Sequence, residues 1–482
     1  MIDRVRVSGT SLLILGLASG ATWLATGDLI ASAGLVVLWL IWMVLPQNGG
    51  LPVLSIALTY HWMQNVVGVY YYHLTGREPV AMVLSDWQPM VWMGLGCITA
   101  IVFGITVAHD QLLRRRKVAD EYTTPGLPWD YLIIGYIIAV VSKQGLEQFA
   151  WTLSGFNQGL LALGYVRLAL FYVLMRRLVF GERYFAAAGM LLFEIGLGFT
   201  SYFAEFREPM MIAMVVAWER FDRRRVRDWV LASVLVACSI VAAMLWMGIR
   251  TEVRSKFDEG TAAASASARF RDIVNLASGF GGSHGDLVVA SDRLIDRLWD
   301  VYYPALAAAR IPNVLPHEDG ALLMRALQHV VMPRFFFPDK SALESDSMLV
   351  RKYAGVWVAG PEQGTSIAFG YAIESYIDFG VPLMFVPVFA FGLFAGAGYY
   401  VLAHWIRDRE ISVGASTIVF WLALAQSNRE WARMLGLTGT LLLFVGGAAL
   451  LADLYLRSGN RVTPDADEGV ASYPAASEHS IL

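Results

Sequence analysis

Runs of about 20 consecutive apolar residues recur from one end of this chain to the other, each long enough to cross the ~30 Å hydrocarbon layer of a bilayer. In lipid, backbone polar groups must be satisfied within their own segment, so such runs fold as helices. The chain therefore reads as an all-α polytopic membrane protein. Composition agrees, because 56% of residues are hydrophobic and only 16% are charged, too few to cover a water-soluble surface. Nucleic acid is not an expected partner. Apolar runs lie near 11–25, 29–45, 52–74, 89–108, 129–142, 158–175, 184–203, 208–221, 229–249, 381–403, 412–426 and 434–456, which makes about twelve transmembrane helices. The run at 208–221 is short and that at 129–142 is weak, so one span fewer, with or without a re-entrant helix, is the alternative. Arg4 and Arg6 before Ser11–Ala25 also fit a cleaved signal peptide. The second apolar run, after only Thr26-Gly27-Asp28, reads better as a helical hairpin.

Lysine and arginine are disfavoured in translocated loops, so their positions orient the chain. With the N-terminus in the cytoplasm, the inner loops receive Arg114-Arg115-Arg116-Lys117, Arg176-Arg177, the Arg220–Arg227 cluster, Arg407 with Arg409, and Arg457 with Arg461. The short outer loops receive only Arg77, Lys143, Arg207, Arg429 and Arg433. Both termini then lie in the cytoplasm. The division is membrane helices over 1–249, a large periplasmic loop over 250–368, membrane helices over 369–456 and a disordered cytoplasmic tail over 457–482. The two cysteines, Cys97 and Cys238, lie in apolar runs, so no disulfide staples the loop, which must pack on the membrane domain. Gly260–Ala268 and Ser278–Gly285 read as linkers, and Leu287–Ala309 and Gly320–Val331 as amphipathic helices on the membrane face.

Ionisable residues at membrane depth are costly and need partners. Arg167 and Glu194 fall at matching depth on consecutive antiparallel spans, as a structural ion pair or as groups that meet a lipid phosphate. His61, Gln64 and Asn65 in the third span read as interhelical hydrogen-bonding groups. Phe206-Arg207-Glu208-Pro209 opens a short helix with proline in its first turn, so free N–H groups and Arg207 together form a phosphate seat or, equally, a snorkelling arginine at the interface. In Pro333–Lys340 (PRFFFPDK) the aromatics Phe335, Phe336 and Phe337 suit an interfacial anchor holding Arg334 and Lys340, with Arg351 following. Aromatic faces bind sugars and cations bind phosphate oxygens, a combination suited to a lipid-linked glycan. Glu374 and Asp378 precede the next span, as a general base or as solvated helix-end residues, with Tyr376 between them. Asn428-Arg429-Glu430-Trp431-Ala432-Arg433 completes the outer ring. No metal-ligand spacing, Walker loop, dinucleotide fingerprint or nucleophile elbow occurs, so neither metal nor nucleotide is called for.

Outward Arg207 ahead of a short span, the PRFFFPDK run at 333–340 and the TSIAFGYAIESYIDFG run at 365–380 resemble Wzy-type polymerases of O-antigen and exopolysaccharide repeat units, and more distantly O-antigen ligases. The likeness runs from the seventh span to the end, with a similar topology throughout. It implies a GT-C-like membrane glycosyltransferase in a bacterial inner membrane. Undecaprenyl-diphosphate-linked oligosaccharide would be the substrate, with no cofactor and with a chain-length-determining co-polymerase as a possible partner. On that resemblance Arg207 and Arg334 hold the diphosphate and Lys340, Arg351 and Arg429 support them. Tyr376 meets the glycan, Glu374 is the leading base and Asp378 the second. A ligase would use a periplasmic histidine, for which His284, His317 and His329 are the candidates. The competing classes are a lipid-linked sugar transporter, which has a similar span count but short loops, and a membrane acyltransferase, for which His61 is the histidine in a span to consider.

Overall fold

The computed structural model describes residues 9–46, 52–115, 127–152, 157–199, 207–222, 224–258, 275, 284–332, 336–337, 339–340, 343–363 and 365–459. Among these the regular structure is helical, with no strand. The first half comprises α1 (Gly9–Thr26), α2 (Leu29–Val44), α3 (Val53–Thr75), the single turn α4 (Val80–Leu84), α5 (Gln88–Arg115), α6 (Trp129–Thr152), α7 (Asn157–Gly164), α8 (Val166–Phe180), α9 (Tyr184–Phe199), α10 (Arg207–Arg220) and α11 (Val226–Asp258). Then come α12 (His284–Leu298), α13 (Tyr302–Arg310), α14 (Ala321–Val331), α15 (Asp346–Ala354) and α16 (Tyr371–Phe379). Last are α17 (Phe385–Trp405), α18 (Arg409–Leu424), α19 (Trp431–Leu441) and α20 (Gly447–Gly459), the last two joined through a π turn at Leu442–Gly446.

Six segments among the described residues are long and apolar enough to cross a membrane: Gly9–Thr26, Gln88–Leu113, Asn157–Phe180, Val226–Ile249, Phe385–Trp405 and Trp431–Ser458. The chain is thus a helical membrane protein by length and apolarity. Several other expected spans are helices that fall short on one of those counts. α3 carries His61, Gln64 and Asn65, which lower its hydropathy, while α10 and α18 have only 14 and 16 residues. The expected hairpin at the start is present, since Gly27 adopts φ +67 and the Asp28 carboxylate caps α2 by accepting from the Ile30 N–H at 2.7 Å.

The centre of the bundle is the α5–α17 contact, where glycines let the backbones meet. A Cβ at Gly104 would overlap the Phe389 carbonyl, and one at Gly396 the Ile105 carbonyl. α18, buried from Ile411 to Leu424, fills the space beside α3 and α8. His61, Gln64 and Asn65 of α3 all bond to other segments. His61 Nδ1 meets the Leu424 carbonyl and its Nε2 the Tyr371 hydroxyl, Asn65 donates to the Val91 carbonyl, and Gln64 Oε1 accepts from the Ser427 N–H. Arg167 of α8 and Glu194 of α9 form a buried ion pair, and Tyr136 of α6 donates to the same carboxylate.

Helices α12 to α16 gather at one end of the bundle. Leu287–Ala309 is not the single amphipathic helix that its periodicity predicts: it breaks between α12 and α13, where Trp299 turns inward. Trp299 is 1% exposed, its Nε1 donates to the Asn65 carbonyl at 2.9 Å, and its ring lies where a Cβ on Gly68 would sit. Burying so large a ring outweighs continuing one helix. The linker stretches expected at 260–268 and 278–285 fall outside the described residues apart from the start of α12, as does the tail past Gly459. At the opposite end of the bundle, Arg176 pairs with Glu219 at 3.0 Å and with Glu410 at 3.3 Å, and Arg177 also reaches Glu410.

Candidate functional site

The site is organised by the six residues between α18 and α19, Ala425–Glu430. Gln64 holds this segment through the Ser427 N–H, and the Arg429 carbonyl accepts from the Tyr371 N–H at 2.6 Å. Gly370 passes so close to the Ser427 carbonyl, at φ +92, that only glycine fits. Asp300, directly after Trp299, accepts a hydrogen bond from the Asn428 side chain, and burial pushes its carboxyl upward. The segment is therefore tied to α3, to the α12–α13 corner and to the start of α16.

Arg429 is buried at 7% exposure. Its Nε donates to Gln426 Oε1 at 2.8 Å, while its Nη1 has no hydrogen-bond partner. Arg207, the first residue of α10, lies near enough to repel it, so that burial first and the Arg207 charge second pull Arg429 down to about 10. Arg207 itself bonds Glu208 at 2.6 Å and the Tyr60 hydroxyl. Tyr165, between α7 and α8, and Arg433 of α19 are further neighbours of Arg429, the second another like charge. Two guanidiniums thus share Glu208 as a near counter-charge. A buried donor without a partner costs about 1–3 kcal/mol, more when charged, unless something outside the protein satisfies it. A second guanidinium beside it raises that demand for an anion.

Beside the same segment lies a cavity of ≈ 660 Å³ between α14, α15 and the starts of α16 and α19. Glu374, Glu430, Asp346 and Glu344 line it, together with the cations Arg325, Arg433 and Lys340 and the polar Gln328, Ser345 and Ser366. Such a wall offers both donors and acceptors, which suits a hydroxyl-rich ligand.

The residues singled out from sequence do different things here. Glu374 is 4% exposed and its Oε2 accepts from the Trp431 N–H at 2.8 Å, so it caps α19 from another helix. Burial pushes its carboxyl up to about 8; the Trp431 bond opposes this, and the Glu430, Asp346 and Asp378 charges add to it. Asp378 likewise caps α14, accepting from the Leu322 and Leu323 N–H groups at 3.0 and 2.8 Å, and burial raises it too. Tyr376 donates to the Ile311 carbonyl at 2.9 Å and stands edge-on to His317. Lys340 Nζ bonds the His329 and Met332 carbonyls at the end of α14, at 2.5 and 2.7 Å. Arg351 is held by the Val358 carbonyl and Glu362 and lies over the Trp357 ring. Arg334 lies outside the described residues, and Phe336 and Phe337 are exposed. Of the proposed cations, the structure brings together Arg207 and Arg429. Asp300 and Asp346 carried no distinguishing signal in the sequence, where each is one carboxylate among many, and Glu430 lay in the outer-ring run 428–433 without a role of its own.

Glu374 makes stability depend on pH. Its folded carboxyl keeps a proton that the unfolded chain releases above the usual carboxylate range, so stability falls as pH rises from about 4.5 to about 8 and levels off above that. Glu374→Gln, which mimics the neutral form, is expected to remove this share of the slope. Thermal unfolding in detergent across that window measures it, and an unchanged slope would mean that Glu374 is ionised in the fold.

Fold and site together define a helical membrane protein with a docked helical segment at one end, an arginine cradle and an adjoining polar cavity. The chain belongs to the family described as a domain of unknown function, DUF8712, whose profile matches residues 63–397. That range holds Arg207, Glu374 and Asp378 but stops before Arg429. No curated protein matches the chain and no solved structure matches it.

Proposed function

We propose that this protein polymerises undecaprenyl-diphosphate-linked oligosaccharide repeat units by glycosyl transfer, as its resemblance to Wzy-type polymerases implies. The observation that carries the reading is the buried Arg429 guanidinium, with Nη1 unpartnered beside Arg207. In the reaction the bond from the sugar C1 to the diphosphate oxygen breaks and a bond from C1 to an acceptor hydroxyl oxygen forms. The departing diphosphate takes the electron pair, and charge grows on its bridging oxygen. Two fixed guanidiniums stabilise that charge without reorganising, which is the largest contribution a site of this kind makes. The activated phosphate ester supplies the driving force, so no nucleotide is consumed.

The cradle faces the periplasm of a bacterial inner membrane in this reading, with about twelve spans and both termini in the cytoplasm. Its support is that Arg176, Arg177, Arg220, Arg409 and Arg457 gather at the opposite end of the bundle, where the positive-inside rule assigns the cytoplasm. The test is a reconstitution of the full chain in proteoliposomes with lipid-linked oligosaccharide extracted from membranes of the producing cell. A ladder of glycan lengths formed without nucleotide is the expected result. A single transfer to a different lipid makes the protein a ligase, and intact substrate moved across the bilayer makes it a transporter.

A further inference from the structure

Glu430 occupies the N-cap position of α19, where an acidic side chain ordinarily accepts from a free N–H of the first turn. It makes no such bond. Glu374, reaching over from α16, takes the Trp431 N–H, and the Trp431 indole is held by Ser375 Oγ at 3.0 Å. The Glu430 carboxyl is thereby released from capping. Its Oε1 pairs with Arg433 Nε at 3.4 Å, and its Oε2 is buried with no hydrogen-bond partner, as is the hydroxyl of Ser345 across the same cavity. The residue before it is Arg429, more than nine-tenths buried, with its own unpartnered Nη1. Two adjacent residues therefore present an unmet cation donor and an unmet carboxylate acceptor, one toward Arg207 and the other on the polar cavity. An acid with a free oxygen and a cation with a free donor, one peptide apart, suit the two ends of one transfer reaction.

We propose that the cavity between α14, α15, α16 and α19 receives the acceptor sugar, and that Glu430 is the group that takes the proton from its attacking hydroxyl. The inference rests on the polymerase reading above. The environments divide the carboxylates by role. Burial pushes the Glu430 carboxyl up and the Asp346 charge adds to this, but Arg433 and Arg429 oppose it and favour the ionised form, whereas Glu374, buried and with no arginine among its principal neighbours, is pushed up to about 8 and keeps its proton. In the step, the acceptor O–H bond breaks and its proton passes to Glu430. The oxygen bonds the donor sugar C1 as the C1–O bond to the diphosphate breaks. The electron pair leaves on the diphosphate, held by Arg207 and Arg429, and Glu430 returns its proton to solvent. Glu374 holds the N-terminus of α19 and so is a positioning residue for Glu430.

The experiment uses the full chain in proteoliposomes with the same extracted lipid-linked oligosaccharide, and undecaprenyl diphosphate without sugar as the binding probe. Glu430→Gln is expected to slow ladder formation about 100-fold or more while leaving undecaprenyl diphosphate binding within about twofold. Glu430→Ala is expected to regain about tenfold in rate when formate is supplied, because a small carboxylate can replace a missing proton acceptor but not a missing packing contact. Should Glu430→Gln not fold, Glu430→Asp keeps the carboxylate in a shorter reach and is expected to retain a rate between those of the wild type and Glu430→Ala. Ladder formation by Glu430→Gln or Glu430→Ala within about fivefold of wild type overturns the proposal, and so does a slow Glu430→Ala that formate does not rescue. A wild-type protein that binds undecaprenyl diphosphate but forms no ladder overturns the polymerase reading instead.

Discussion

Replacing Arg429 by glutamine is expected to make the ligand-free protein more stable and to abolish its stabilisation by diphosphate. The first effect follows from charge. Arg429 is buried beside Arg207, and the pair shares Glu208, so an uncompensated guanidinium is held out of water. Glutamine removes that charge and loses the single bond from Nε to Gln426. The net gain is about 1–3 kcal/mol, since an unpaired buried charge costs more than one hydrogen bond returns. The second effect has the same origin. A diphosphate between the two guanidiniums would satisfy Nη1 and neutralise the repulsion, so binding weakens about 100-fold without Arg429. Thermal midpoints of wild type and Arg429→Gln, each with and without inorganic pyrophosphate and undecaprenyl diphosphate, measure both. A wild type indifferent to both ligands, or a variant that unfolds several degrees earlier, would make Arg429 a structural residue and remove the main support for the polymerase reading.

Trp299→Ala is expected to release the α12–α13 segment from the membrane bundle. The indole is almost fully buried, donates to the Asn65 carbonyl, lies against Gly68 and packs edge-on to Trp87 with centroids 5.5 Å apart. Truncating such a tryptophan costs about 3–5 kcal/mol, concentrated here where the segment docks. Hydrogen exchange over α12 and α13, and tryptic cleavage after Arg293, Arg297 and Arg310, should rise sharply while the α5–α17 contact stays protected. Asp300 follows Trp299 and holds Asn428, so undecaprenyl diphosphate binding should also fall although no arginine has changed. Unchanged exchange over α12 would show that the segment is held by its other contacts, among them Asp292 with Arg77 and Asp296 with the Val80 N–H.

Much of the scaffold was legible from local pattern. Apolar runs gave α1 and α17 within a few residues, and the start but not the end of α5, because a helix in lipid needs only length and apolarity. The opening hairpin was readable from Gly27 and Asp28, whose roles are set by their own backbone. Polar residues at known depth, such as His61, Gln64 and Asn65, announced interhelical bonds, although not their partners. The site was less legible. Glu374 and Asp378 stand out in sequence as carboxylates before a span, and in the fold both cap helices that begin elsewhere in the chain. Lys340 and Arg351 look like free cations in a basic, aromatic loop and are instead held by backbone carbonyls.

What the sequence by itself determined is the helical, apolar character of the long runs and the turn at Gly27-Asp28. Those properties are sums over neighbouring residues, and burial in a bilayer acts on each helix separately. Only the tertiary structure decided that Arg429, rather than the more conspicuous cations of the loop, meets Arg207, and that Glu430 is relieved of capping by a carboxylate 56 positions earlier in the chain. Such pairings depend on how α3, α10, α16 and α18 pack around Ala425–Glu430, and a buried charge takes its chemistry from whichever groups that packing brings beside it.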